Sequence, residues 1–189
     1  MLQRSGIILI TIFFALFIPL YSFAFVPVHI SRPNRKAFSC HMLNSQYFQP
    51  SFLLTSATVE EALAAAEKCA NANGFKVTIA ICDAGGVPLI VKRQDGAFPA
   101  SVKVAIGKAE TAAQFNKPTA QLEAGVNVVD GSSRAALLSA PFVLMRGGLP
   151  IVIHGVCCGA IGVSGVKPDE DELVAQAAVD AIASLMSKL

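Results

Sequence analysis

The sequence has few of the residues from which nucleic-acid-binding surfaces are built. It contains no tryptophan in 189 residues, and both of its tyrosines precede residue 51. Residues 51–189 carry 11 lysines and arginines against all 13 acidic residues, a formal charge of −2, although the whole chain stands at +2. Because neither a basic patch nor interleaved aromatic residues are present, nucleic acid is a poor candidate partner.

Acidic residues are missing from the first 59 positions, which begin like a targeting sequence. Arg4 supplies a positive start, residues 7–18 are apolar, and Ser22 and Ala24 have the spacing of a cleavage site. A transmembrane anchor is the rival interpretation, but the apolar run is shorter than the roughly 20 residues that a span needs. We therefore interpret residues 1–24 as a cleavable signal peptide and expect no membrane association after its removal.

Residues 25–50 are basic and rich in serine, asparagine, glutamine and proline, which is typical of a transit peptide. The junction Ala24-Phe25-Val26-Pro27 resembles the A-F-x-P junction in the two-part presequences of algae with complex plastids. This resemblance predicts a disordered segment that directs the protein into a plastid. A secreted protein with a disordered basic linker is the alternative.

Processing of the chain tests the targeting interpretation. If the presequence is removed, the mature protein begins between Phe25 and about Ser51. N-terminal sequencing of the protein from its native compartment measures this directly. A native chain that still begins at Met1 would contradict the interpretation.

Residues 51–189 have the length of one ordinary domain and contain no internal repeat. Four of the five cysteines lie here without C-x-x-C spacing, and three of them stand in apolar runs. Buried thiols are therefore favoured over a disulfide framework. The four are Cys69, Cys82, Cys157 and Cys158.

The stretch IVIHGVCCGAIGVSG, residues 151–165, places a histidine ahead of two adjacent cysteines. His154-Gly155 fits a two-residue hairpin turn with an exposed histidine. Adjacent Cα atoms stand about 3.8 Å apart, below the usual disulfide span of about 4.4–6.8 Å, and successive strand side chains point to opposite faces. We therefore interpret Cys157 and Cys158 as core residues rather than as metal ligands or a redox pair.

Periodicity and turn residues predict both helices and strands in this domain. The first predicted elements are a helix capped by Thr58 and stopped at Gly74, two strands joined through Ala84-Gly85-Gly86, and a helix over Ala100–Phe115 ended by Pro118. The later ones are a short turn at 119–125, strands at Phe142–Met145 and Leu149–Ile153, and a helix from near Asp169 to Leu185. Between them, the pattern over 125–141 is ambiguous and allows a strand at Val126–Val129 and a loop or short strand through Ser139. This order predicts an α/β fold in which helices pack on an antiparallel sheet.

Several stretches within residues 52–188 resemble one known family. They are VTIAICDAGGVPLIVKRQDGA, S-x(6)-KAETAAQF, PTAQL and RGGLPIVIHGVCCGAIGVSGVKPDEDELVAQAAVDAI. Together they resemble the haem-binding, GlcG-like family, which also includes the C-terminal domain of some corrinoid adenosyltransferases. The resemblance implies a profilin-like three-layer α/β/α fold, with a five-stranded antiparallel sheet and helices on both faces, assembled into homo-oligomers.

The resemblance also implies a ligand site. The family motif falls on Arg93, Asp95, Ser101, Lys108, Thr111, Gly147, Gly148 and Gly165. Lys108 either extends into solvent or meets an anion in a cleft, and Arg93 can hold a carboxylate of haem or of a small acid, or pair with Asp95. The glycines allow a ligand to approach the backbone closely, but they are equally typical of turns.

Three classes of function follow from the resemblance and the residues. The first is a haem-binding or haem-handling protein that receives an anionic ligand in a cleft near Arg93 and Lys108. The second is an enzyme acting on a small carboxylic acid, with Lys108 or Asp95 in acid–base chemistry. The third is a non-catalytic oligomeric sensor or scaffold. Residues 51–189 offer few of the His, Cys, Met and Tyr side chains that bind haem iron, which favours surface binding over tight axial ligation.

Overall fold

The computed structural model describes residues 51–128 and 133–187. The predicted signal peptide and transit segment, residues 1–50, lie outside this part of the chain. Within the described residues, no helix combines the length and the apolar character needed to cross a membrane.

Four α-helices, one 3₁₀ helix and four strands make up the described residues. The helices are α1 (Ser56–Ala72), α2 (Ser101–Phe115), α3 (Thr119–Val126) and α4 (Pro168–Met186), with the 3₁₀ helix over Ala135–Ser139. The strands are β1 (Thr78–Asp83), β2 (Pro88–Arg93), β3 (Gly148–Ile153) and β4 (Val156–Ser164). All neighbouring strands are antiparallel, in the order β2-β1-β4-β3. The predicted antiparallel sheet with packed helices is confirmed.

Helix α1 begins earlier than the sequence pattern predicts. Thr55 caps it, because its side chain accepts a hydrogen bond from the Thr58 backbone N–H at 3.3 Å. Thr58, the predicted cap, lies inside the first turn of the helix. The predicted stop is confirmed, since the chain leaves the helix through Gly74 at φ 71°, a conformation that glycine adopts without a steric penalty.

The prediction of five strands is wrong for the described residues, which contain four. The predicted turn at 119–125 and the start of the predicted strand at Val126 are instead the helix α3. This helix begins directly after Pro118 and consists mostly of good helix formers. Val129, the end of that predicted strand, lies outside the described residues.

The segment Phe142–Met145, predicted as a strand, packs on helix α2 instead of pairing with the sheet. The Val143 backbone N–H donates to Thr111 Oγ1 at 3.0 Å. The Phe142 ring stands edge-on to Phe115, with 4.9 Å between the ring centroids. Because the Val143 N–H is bonded to the Thr111 hydroxyl of α2, it is not available to pair with a strand of the sheet.

Strand β1 divides the core into two clusters, because its successive side chains point to opposite faces. Ile79 and Ile81 pack with side chains of α1 and α4, whereas Ala80 and Cys82 pack with the alanines of α2. Residues 78–82 are all buried, as their uniformly small and apolar pattern predicts. The α2 cluster contains almost only small side chains, so this helix lies close to the sheet.

Strands β3 and β4 are joined by the predicted two-residue turn. His154 has a φ of 49° and Gly155 a φ of 80°, the two positive values that a type I′ turn requires. Both residues are exposed. The His154 ring lies beside Phe52, with 6.0 Å between the ring centroids.

Candidate functional site

Lys108 is buried in the interior and forms an ion pair there. Its side chain is 0% exposed, and its Nζ donates to Asp171 Oδ2 at 2.7 Å and to the Val163 carbonyl at 2.9 Å. Helix α2 supplies the lysine and α4 supplies the carboxylate, so the pair joins helices that pack in different core clusters. The sequence predicted that the Lys108 ammonium would meet solvent or an anionic ligand. In the structure it meets the carboxylate of Asp171 instead.

Asp171 lies in the first turn of α4, where its charge also suits the helix dipole. Its second carboxylate oxygen accepts a hydrogen bond from the Val166 backbone N–H at 3.2 Å. Burial raises the pKa of Asp171 above its ordinary value, and the hydrogen bond and charge of Lys108 oppose this rise. The residue stood among four consecutive acids in the sequence, and nothing local distinguished it as the partner of a lysine.

Gly147 and Gly148 leave room for this ion pair and its surroundings. A Cβ on Gly147 would lie 2.9 Å from Lys108 Nζ and 2.8 Å from Asp171 Cβ. A Cβ on Gly148 would lie 2.5 Å from the Lys108 carbonyl oxygen and 2.7 Å from Thr119 Cγ2. Thr119 Oγ1, which the sequence motif did not include, accepts from the Gly148 N–H at 2.9 Å. These two glycines therefore permit close packing within the fold.

Ser101 and Thr111 are also buried and have partners within the protein. Ser101 Oγ donates to the Phe98 carbonyl at 2.6 Å and forms a hydrogen bond of 2.7 Å with Thr78 Oγ1. Thr111 Oγ1 accepts the bond from Val143 described above. Like Lys108, these two side chains are buried and bonded within the protein, and they do not form the wall of an open cleft.

Arg93 and Asp95 lie at the surface, where β2 ends. They line an open depression with a volume of about 310 Å³, together with Glu67, Asn71, Lys76, Lys92 and Gln94. Gly165 is not one of the lining residues, and a Cβ there would collide with the Lys76 carbonyl oxygen, so this glycine permits close packing of the backbone. The residues implied by the resemblance are therefore divided between the interior around Lys108 and the surface around Arg93.

Strand β2 is an edge strand, and five of its six residues are exposed. Val91 pairs with Ala80 and Arg93 pairs with Thr78, so Val91 and Arg93 share the face on which α2 packs. We call the exposed side chains of Val91 and Arg93 on this strand the β2 face. It combines an apolar side chain and a cation at alternate positions.

The two adjacent cations of β2 have different surroundings. Lys92 points to the opposite side of the sheet, where its Nζ bonds Glu67 Oε2 at 2.8 Å. Across residues 51–128 and 133–187, Arg93 makes no ion pair. Its guanidinium is therefore available to an anion from outside the described part of the protein.

The adjacent cysteines differ in exposure. Cys158 is 1% exposed, whereas Cys157 is half-buried. The two cysteines also differ in their pairing with β3. Ile151 pairs with Gly159 and Val152 pairs with Cys157. Cys158 has no partner on β3 and is the extra residue of a bulge. The core interpretation is confirmed for Cys158 and only in part for Cys157.

Thiol reactivity should follow these environments. Burial raises the pKa of Cys82 to about 12 and also raises the pKa of Cys158, so neither carries appreciable thiolate near neutral pH. Alkylation of the native protein should therefore spare Cys82 and Cys158 and modify the half-buried Cys69 and Cys157 first, as located by peptide mass spectrometry. In denaturant all four should react. Rapid labelling of Cys158 in the native state would contradict its burial.

The sequence matches a known protein family over most of the described residues. A family model described as haem degrading protein HbpS-like matches residues 54–180. The chain belongs to this family. The predicted GlcG-like relationship is also confirmed, since the Protein GlcG of Escherichia coli strain K12 is 34% identical over 113 residues, covering 59% of this chain and 81% of GlcG.

Solved structures share the fold. The protein ORFY of Klebsiella pneumoniae is 28% identical with a TM-score of 0.68, covering 73% of this chain and 96% of ORFY. The PduOC:haem complex is 26% identical with a TM-score of 0.64, covering 69% of this chain and 95% of PduOC. Of these similar structures, PduOC was solved as a complex with haem.

Proposed function

We propose that this protein binds and handles haem at its surface. The support comes from the description of the family as haem-degrading and from PduOC, a similar structure that was solved as a haem complex. Haem presents a flat apolar ring and two carboxylates. A surface that receives it needs exposed apolar side chains beside an available cation.

The β2 face meets both needs, and this is the observation that carries the proposal. Val91, the apolar side chain of this face, is 37% exposed. Arg93 lies two residues beyond Val91 on the same face, and a guanidinium can bind a carboxylate through two parallel hydrogen bonds. The ring would pack on Val91 while a propionate bonds Arg93.

Lys108 has an indirect part in this proposal. Its ammonium is buried against Asp171 and is not free to bind a ligand. The anionic ligand, which was expected near both Arg93 and Lys108, is therefore proposed at Arg93 alone. The Lys108 ion pair instead joins α2 to α4 within the protein. A small carboxylic acid could use Arg93 too, but it would gain nothing from Val91, and this exposed side chain favours haem over a small-acid substrate.

The Arg93→Ala variant should bind haemin about tenfold or more weakly, because each charged hydrogen bond is worth roughly 1.5–3 kcal/mol. The matched control is Lys92→Ala, which removes the neighbouring cation from the opposite face, and we expect it to bind within about twofold of the unmodified protein. Haemin titration of the purified protein, followed by the Soret band, measures both. Equal losses in the two variants would indicate general charge attraction and contradict a site at Arg93.

Assembly, layering and location complete the proposal. Val152 on the other edge strand, β3, is 47% exposed and supports self-association away from the β2 face, so we propose a homo-oligomer. The separation of the core into two clusters supports a profilin-like layering of helices on both faces of the sheet.

The basic, acid-free composition of residues 25–50 supports import into a plastid.

A further inference from the structure

Within the described residues, the side chains that could bind haem iron are buried or lie away from the β2 face. Iron in haem proteins is held by His, Cys, Met or Tyr. Both tyrosines precede residue 51. In the ranges 51–128 and 133–187, the other three residue types are Cys69, Cys82, Met145, His154, Cys157, Cys158 and Met186.

His154 lies at the other end of the sheet from Arg93. Arg93 is level with Ser164 of β4, because both residues pair with Thr78 of β1. Val156, which follows the hairpin turn, is eight residues earlier along β4. At about 3.3 Å per residue this amounts to roughly 26 Å, more than the separation of iron and carboxylate in one haem. Cys157, next to Val156, is at the same distant end.

The remaining sulfur atoms are buried or face other parts of the molecule. Cys82 and Cys158 are each 1% exposed. Cys69 is half-buried on the opposite side of the sheet, where its Sγ lies 3.9 Å from a backbone carbonyl of α4. Met145 precedes β3, the edge strand farthest from β2, and Met186 ends α4, which packs on the other face.

We infer that the β2 face recognises the carboxylates and the ring of a tetrapyrrole and not its metal. The ligand class is then a planar tetrapyrrole with propionate groups, with or without iron. This inference rests on the proposed haem binding at Arg93.

The test compares three ligands by equilibrium dialysis against the purified protein. Metal-free protoporphyrin IX should bind within about threefold of haemin, because the contacts at Val91 and Arg93 do not involve the metal. Haemin dimethyl ester, whose carboxylates are blocked, should bind about tenfold or more weakly. Arg93→Ala should weaken haemin and protoporphyrin by the same factor, and His154→Ala should weaken neither.

The outcomes separate this inference from the function on which it rests. Haemin binding with protoporphyrin about tenfold weaker would overturn the inference, and so would loss of haemin binding in His154→Ala. A dimethyl ester that binds as tightly as haemin would also overturn it. If haemin itself does not bind, the proposed function is wrong and the inference fails with it.

Discussion

Replacing Asp171 with Asn is expected to lower the free energy of unfolding by about 3–5 kcal/mol. The change keeps the shape of the side chain but removes the charge opposite Lys108, whose side chain is 0% exposed. A carbonyl oxygen from Val163 remains as an acceptor at 2.9 Å, and it cannot neutralise a buried ammonium. Urea unfolding followed by circular dichroism measures the loss.

Two further variants show whether burial of the pair is the cause. Glu67→Gln removes a carboxylate from the exposed pair with Lys92, whose side chain is 51% exposed, and should cost about 1 kcal/mol or less. Lys108→Met combined with Asp171→Leu removes both charges and should recover much of the loss, because apolar residues often replace a buried pair without penalty. A loss in Asp171→Asn as small as that in Glu67→Gln would contradict a desolvated ion pair.

Local patterns were sufficient where an element is defined by its own residues. Helices α2 and α4 begin and end within one residue of their predicted bounds. The turn at His154-Gly155 was also predictable, because two residues with positive φ must separate two strands in a tight hairpin. In each case the deciding signal lies inside the element or at its ends.

The failed prediction of a strand at Phe142–Met145 has a non-local cause. An apolar segment has the same sequence pattern whether it pairs with a strand or packs on a helix. The deciding hydrogen bond joins Val143 to Thr111, which is 32 positions away along the chain. No periodicity within the segment contains that information.

The candidate site was predictable in part for the same reason. Val104, Ala105 and Ala112 lie one turn from Lys108, and this pattern predicted an ammonium that either extends into solvent or meets an anion. Its partner Asp171 lies 63 positions away, so the sequence could not distinguish an internal carboxylate from a ligand. The availability of Arg93 depends on β2 being an edge strand, which follows from the strand order of the sheet and not from the residues around Arg93.

Gly162→Ala is expected to lower the free energy of unfolding by about 3 kcal/mol or more, at the upper end of the cost of overpacking. Gly162 lies in β4 beneath α2, and a Cβ there would collide with the Ala105 carbonyl oxygen and the Ala109 amide nitrogen. Both contacts are with helix backbone, which cannot turn aside as a side chain can. The whole of α2 would have to move away from the sheet. Thermal and urea unfolding measure the cost.

Gly125→Ala is the matched control, because it adds the same methyl group to a helix where there is space. The nearest atom to its Cβ would be Arg134 Cδ at 3.9 Å, and alanine in a helix should stabilise the protein by about 0.5–1 kcal/mol relative to glycine. Equal stability of the two variants would mean that α2 does not lie against β4 at Gly162. Lys108 directly precedes Ala109, one of the two residues that a Cβ on Gly162 would meet. If α2 did not lie against β4 there, Lys108 could not reach Asp171, so equal stability would also contradict the buried ion pair.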